Sequence, residues 1–270
     1  MNTTPRLLRA LLWLGLLLLL AWAAVRAELA FGDLASGGAN IREYLFGSSE
    51  HPDAGYFPPD FSRWRTFLAG TLDTLAIALW GTTLSLIGAL PLGVLGARNG
   101  AALFGGPRWL DGTLYHVARR TMDALRAVNE LVFALIFVVA VGGGPFAGVL
   151  ALAVHSAGVL GKLLSEAIES IDPGQVEAIE ATGAGRMQVV SFAVAPQVAP
   201  LFLSYLLLRF ETNVRAATVV GMTGAGGVGH ELWTAIRSFE NQEACAILLI
   251  IIGLVVAIDR LSASLRARVI

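Results

Sequence analysis

Residues 172–196 read DPGQVEAIEATGAGRMQVVSFAVAP, a polar island in a very apolar chain. Asp172 suits a helix N-cap, Pro173 the first helical position, and Gln175 the returning arm of a capping box. A helix begun there meets Gly183, which takes positive φ without a Cβ penalty, so the spacing predicts about ten residues and roughly 15 Å of helix. That is too short to cross a membrane. Glu177 and Glu180 fall three apart on one side, and Val176 and Ile179 three apart on another, the pattern of a small amphipathic helix lying on a larger body. Taken alone, this is equally an ordinary connecting helix or a docking element.

The composition around it sets the solvent. Of 270 residues, 56% are hydrophobic and 14% charged, and the mean hydropathy of +0.69 excludes a soluble domain. The expected fold is an all-α polytopic membrane protein. Formal charge is near balance at −1, so orientation is read from Lys and Arg at span ends. The single cysteine, Cys245, excludes an internal disulfide framework and a cysteine metal cluster. No G-x-x-x-x-G-K-[ST] loop is present, so an ATP-driven role needs a nucleotide-binding partner on another chain.

Working outward, Arg6 and Arg9 precede an uncharged run from Ala10 to Val25, read as an uncleaved anchor in preference to a signal peptide. A polar stretch follows with Gly37-Gly38 and Pro58-Pro59, an external loop with room for one surface helix. The second span runs from about Phe67 to Leu95. The uncharged run from Leu131 to Gly161 would measure roughly 46 Å as one helix, longer than the hydrocarbon core. Gly142-Gly143-Gly144-Pro145 is the place to break it, giving spans from about Met122 to Val141 and from about Phe146 to Ile168. Asp123, Arg126 and Glu130 then share a face of the third span and pair with one another. A fifth span follows Arg186, bent by Pro196 and Pro200, and the last runs from about Ala244 to Ile258. The total is about six spans, with both termini cytoplasmic. The chain divides into a 1–27 anchor, a 28–66 external loop, and a 67–270 membrane domain whose cytoplasmic helix covers about 172–186.

Charges inside spans need partners or a wet cavity, because an Arg at the bilayer centre costs about 2.5 to 3.5 kcal/mol. Glu211 and Arg215, four apart, fit one helix face; Arg209 has no local partner beyond Glu211. Structural pairing and a pathway for a small oxyanion, held by paired N–H donors, both remain open for these arginines. His155 is isolated and reads as a hydrogen-bonded core residue rather than a metal ligand. Gly224, Gly226 and Gly229 match G-x-G-x-x-G, but a dinucleotide site needs a βαβ unit that a membrane span does not supply. That loop reads as a flexible turn before the last helix.

Glu177-Ala178-Ile179, three residues, Gly183 and the later Pro196 resemble the E-A-A…G…P signature of permease subunits of bacterial ABC importers. Further stretches, among them Gly81-Thr82-Thr83, Gly144-Pro145-Phe146-Ala147-Gly148, Arg209-Phe210-Glu211 and Asn213-Val214-Arg215-Ala216-Ala217, make Thr71–Arg268 similar to the branch that imports phosphonate, phosphite or hypophosphite. Two departures stand out. Asn129 occupies a position where Pro is expected, leaving the third helix less sharply bent, and His230 adds a titratable group near the outer gate.

The resemblance implies a type I ABC importer permease fold in the bacterial inner membrane. It implies coupling to an ATPase through Glu177, Ala178, Ile179, Thr182 and Gly183. The substrate pathway or gate falls to Arg209, Glu211, Asn213, Arg215, Gly224, Gly226, Gly227 and Gly229. Implied partners are a second copy of the chain, a cytoplasmic ATPase dimer carrying ATP and Mg, a periplasmic solute-binding protein, a small oxyanion and the lipid bilayer, and not nucleic acid. No catalytic residue, metal or cofactor is expected on this chain. The alternatives are a type I permease for another solute such as an amino acid, and an ion-coupled secondary transporter.

Overall fold

Every regular element of the computed structural model is helical among the residues it describes, which are 4–28, 31–47, 54–100 and 108–269. The chain divides into a unit from Met1 to Phe57 and a larger one from Pro58 to Ile270. In the first unit, α1 (Thr4–Arg26) carries the apolar anchor run, and its Leu and Trp side chains from Leu8 to Trp22 stand exposed, as lipid-facing residues would. The second helix, α2 (Phe31–Phe46), lies within the 28–66 segment, of which residues 29, 30 and 48–53 lie outside the described residues. A turn folds back on α2, where the Phe57 N–H donates to the Leu45 carbonyl at 2.9 Å.

The larger unit runs α3 (Trp64–Leu95), α4 (Arg108–Ala127), α5 (Glu130–Val141), α6 (Pro145–Glu169), α7 (Pro173–Ala181), α8 (Arg186–Val189), α9 (Ala195–Val220), α10 (Val228–Arg237) and α11 (Asn241–Val269). Among the described residues of the whole chain, five helices are long and apolar enough to cross a bilayer, or six if the bent pair α4–α5 is one span. Helices α3 and α6 form the packing axis. They approach closely because small residues face each other: a Cβ on Gly81 would come within 2.8 Å of the Leu152 Cβ. In lipid such close contact supplies the van der Waals attraction that hydrophobic burial supplies in water. Ile77, Leu152, Val214 and Val220 are fully buried where α3, α6 and α9 meet.

The break at 142–145 forms as the sequence predicts. Gly142 and Gly144 have φ of +91° and +130°, and Pro145 opens α6. The third span differs from expectation. It is bent by 87° between α4 and α5, so the bend is sharp although Asn129 stands in place of a proline. With φ −63° and ψ 145°, Asn129 is an N-cap whose side chain accepts from the Leu131 N–H. Asp123 and Arg126 do pair, at 3.1 Å, but Glu130 lies beyond the break and turns to His155 instead.

The segment from Arg186 to Ala225 is a 40-residue helical rod. Between α8 and α9 it contains a wide π-turn, Val190–Val194, just before Pro196, whose ring and missing N–H do not fit a regular α ladder. A second π-turn, Gly221–Ala225, ends the rod. Helix α11 runs well past the expected end at Ile258 and so carries Asp259 and Arg266.

Candidate functional site

The short helix α7 forms where the sequence places it. Asp172 caps it, accepting from the Gly174 N–H at 2.9 Å. The returning arm is not Gln175. The Asp172 N–H donates instead to Oε1 of Gln197 on α9, also at 2.9 Å, so the start of α7 is fastened to the following span. No residue of α7 is buried. Val176 packs against the cluster of Leu164, Ile168 and Val198, Ile179 is half-buried, and Glu177 and Ala178 are exposed. Thr182 Oγ1 donates to the Ile179 carbonyl at 2.7 Å. Gly183 has φ of +81°, and its N–H donates to the Glu180 carbonyl at 2.9 Å. Beside this turn Ile179, Thr182, Gly183, Gln188 and Phe192 line a cavity of about 330 Å³.

The base from which α7 departs is tied together by ions. Glu169, the last residue of α6, accepts from the Arg98 backbone N–H at 2.8 Å and pairs with Arg119 of α4. Arg119 Nε in turn donates to the Gly96 carbonyl that ends α3, at 2.8 Å. Hydrogen bonding to Tyr115, backed by the charge of Glu169, raises Arg98 above its ordinary range. The ends of α3 and α6 are thereby joined to the middle of α4 where α7 leaves them.

The residues read as a possible pathway separate into three groups. Arg215 is paired although half-exposed: it reaches Asp259 at 2.9 Å and Glu211 at 3.0 Å. Glu211, 8% exposed, also lies 3.2 Å from Arg266, an ion pair without hydrogen-bond alignment. Two cations and two carboxylates thus neutralise one another between α9 and α11. Asn213, fully buried, belongs to a different chain of bonds: it accepts from Ser156 Oγ at 3.0 Å and donates to Thr82 Oγ1 at 2.8 Å. Arg209 ends that chain, its Nε donating to Ser156 Oγ at 2.9 Å. Glu211 is therefore not its partner. His155 is a hydrogen-bonded core residue, 2.8 Å through Nδ1 from the Val128 carbonyl and 3.6 Å through Nε2 from Glu130.

The glycine loop is a packed junction rather than a loose turn. Gly224, Gly226 and Gly227 all have positive φ. The Gly224 carbonyl accepts from the Gly144 N–H at 2.9 Å, and the Val228 N–H donates to Thr74 Oγ1 at 2.9 Å. A Cβ on Gly227 would stand 2.5 Å from that hydroxyl, and one on Gly229 would collide with the Thr218 carbonyl. Exposed His230 borders a cavity of about 460 Å³ shared with Met222, Trp233 and Arg237. Among the described residues no three His, Cys, Asp or Glu side chains are placed to hold a metal.

Ser156, Asp259 and Gln197 are not singled out in the sequence, and Thr82 and Arg266 stand out there only as part of a family stretch and as a basic end, with no pairing role. Asp259 carried a usable signal, as an acid directly after an apolar run and close to basic residues. The others pair across long sequence separations and leave no periodic trace.

Residues 89–270 match the family described as binding-protein-dependent transport system inner membrane component. The phosphite transport system permease protein PtxC of Stutzerimonas stutzeri is 46% identical over 209 residues, covering 77% of this chain and 73% of that one. The phosphate-import permease protein PhnE of Mycolicibacterium smegmatis is 38% identical over 224 residues, 81% of this chain and 41% of that one. In structure the chain is similar to one of the MetNI methionine ABC transporter in its inward-facing conformations, with a TM-score of 0.67 at 22% identity, covering 78% of this chain and 99% of that one. The multi-pass fold, the exposed short helix and the family match together identify the chain as a member of the inner membrane components of binding-protein-dependent transport systems.

Proposed function

We propose that this chain is the transmembrane permease subunit of an ATP-driven importer of small phosphorus oxyanions, of the phosphonate, phosphite and hypophosphite class. The observation that carries this reading is the 46% identity to a permease named for phosphite transport, extending over most of both chains. The methionine-transporter likeness, at 22% identity, speaks to fold and does not favour an amino acid. A second copy of the chain completes the pathway, a cytoplasmic ATPase dimer binds Mg and ATP, and an external binding protein delivers the anion. Helix α7 is the contact with the ATPase: Glu177 and Ala178 face outward for docking, and Ile179, Thr182 and Gly183 shape its end. ATP-driven closure moves α7, and the ends of α3 and α6, tied to α4 through Arg119, pass that motion to the bundle, which alternates between inward-open and outward-open states. The junction of Gly224, Gly226, Gly227 and Gly229 is the outer gate element.

Uptake of labelled phosphite into proteoliposomes tests this directly. Accumulation that requires the ATPase subunit, the binding protein and ATP is the expected result. Accumulation driven by an ion gradient without those subunits would establish a secondary transporter instead.

A further inference from the structure

Arg209 is held along one edge of its guanidinium and open along the other. Its Nε donates to Ser156, Ser156 donates to Asn213, Asn213 donates to Thr82, and Thr82 Oγ1 donates to the Ala78 carbonyl at 2.7 Å. Every donor in this line points the same way, from the arginine into the backbone of α3, so each bond polarises the next. Ser156 and Asn213 are fully buried and Thr82 is 5% exposed, so the line is a fixed internal mount spanning α9, α6 and α3.

The terminal nitrogens of Arg209 contrast with this. Among the described residues neither has a hydrogen-bond partner, no carboxylate lies within ion-pair distance, and neither is sealed from the protein surface. Arg215, six positions along the same helix, spends both terminal nitrogens on Asp259 and Glu211. A guanidinium left open within the membrane-spanning rod Arg186–Ala225 has to face a wet path or an anion, because lipid tails offer it nothing.

We propose that the open edge of Arg209 is the oxyanion-recognising group of the translocation pathway, and that the Ser156–Asn213–Thr82 line is the mount that aims it. Its free N–H groups form a planar fork that matches two oxygens of a phosphorus oxyanion, which a lysine ammonium does not reproduce. This inference rests on the reading of the chain as an oxyanion permease. The same chemistry would accept the phosphate of a lipid headgroup, so the test has to separate the two sources.

The complete importer, with ATPase and binding protein, is reconstituted in proteoliposomes. Phosphite uptake and ATP hydrolysis are then measured together for the wild type, Arg209→Gln, Arg209→Lys and Ser156→Ala. Both Arg209 variants are expected to lower phosphite moved per ATP hydrolysed by about tenfold or more, the loss suited to a charge-assisted bidentate contact. Binding-protein-stimulated hydrolysis and the melting temperature should stay at wild-type values. Ser156→Ala should produce a smaller loss of the same kind, with a raised half-saturating phosphite concentration. Unchanged transport per ATP in Arg209→Gln would overturn the inference, whether the side chain proved idle or bound only to lipid. A proportional loss of uptake, hydrolysis and thermal stability would also overturn it, by making Arg209 structural. If the wild-type importer moves no phosphorus oxyanion, the underlying reading fails first, and that is visible before any variant is examined.

Discussion

Two glycine turns end neighbouring parts of this chain, and they use glycine for opposite reasons. At Gly183, which closes α7, φ is +81° and nothing stands within 4 Å of the place a Cβ would occupy. The residue is there for its backbone conformation alone, in an element with no buried residue. At the 221–229 junction most of the glycines are closely packed: Gly221 on the Gly226 carbonyl, Gly226 on Pro145, Gly227 on Thr74, and Gly229 on the Thr218 carbonyl, while Gly224 has only Val138 at 3.9 Å. The first turn leaves open space around its glycine, and the second is already met by α3 and α6. A glycine in a motif is thus informative about function only once its surroundings are known.

Substitutions sharpen that contrast, and the largest effect belongs to the packed turn. Gly229→Ala forces a Cβ into backbone with no flexible side chain to yield, and should cost about 3 kcal/mol or more. Loss of the monodisperse detergent-solubilised protein on size exclusion would register it; an alanine variant with a wild-type melting temperature would break the comparison. Gly183→Pro comes next. Proline cannot adopt φ of +81° and removes the N–H that bonds the Glu180 carbonyl. We expect membrane insertion to survive while ATPase stimulation is abolished, as measured by binding-protein-dependent hydrolysis. Normal stimulated turnover would argue against a coupling role. The smallest effect is that of Gly183→Ala, where open space leaves only the left-handed backbone penalty of roughly 1 to 2 kcal/mol. A small fall in melting temperature, with hydrolysis partly retained, is the expected outcome.

Local chemistry was legible in the sequence and long-range pairing was not. The break at Gly142–Pro145, the cap at Asp172 and the stop at Gly183 each depend on a few adjacent residues, and the structure has all three. The Glu211–Arg215 pair was legible because four residues make one helical turn. Its outer partners, Asp259 and Arg266, sit on α11 and reach it only through packing. The same holds for Gln197, which takes the capping position that the sequence assigns to Gln175. Asn129 shows a subtler failure. Its missing proline points to a gentler bend, yet the bend is 87° without one, and the Asn129 side chain caps the helix that begins there. That bend moves Glu130 away from Asp123 and Arg126 and onto His155, a pairing no periodicity announces.

The central claim is that the exposed face of α7 is where the ATPase attaches. Cys245 is buried, so Ala178→Cys places a single accessible thiol on that face. The measurement is thiol-specific crosslinking of this variant, in membranes, to the ATPase subunit of the same importer. The expected result is a covalent permease–ATPase product, together with protection of the thiol from maleimide when the ATPase is bound. A thiol that labels fully and forms no such product in an assembled, hydrolysing complex would contradict the claim.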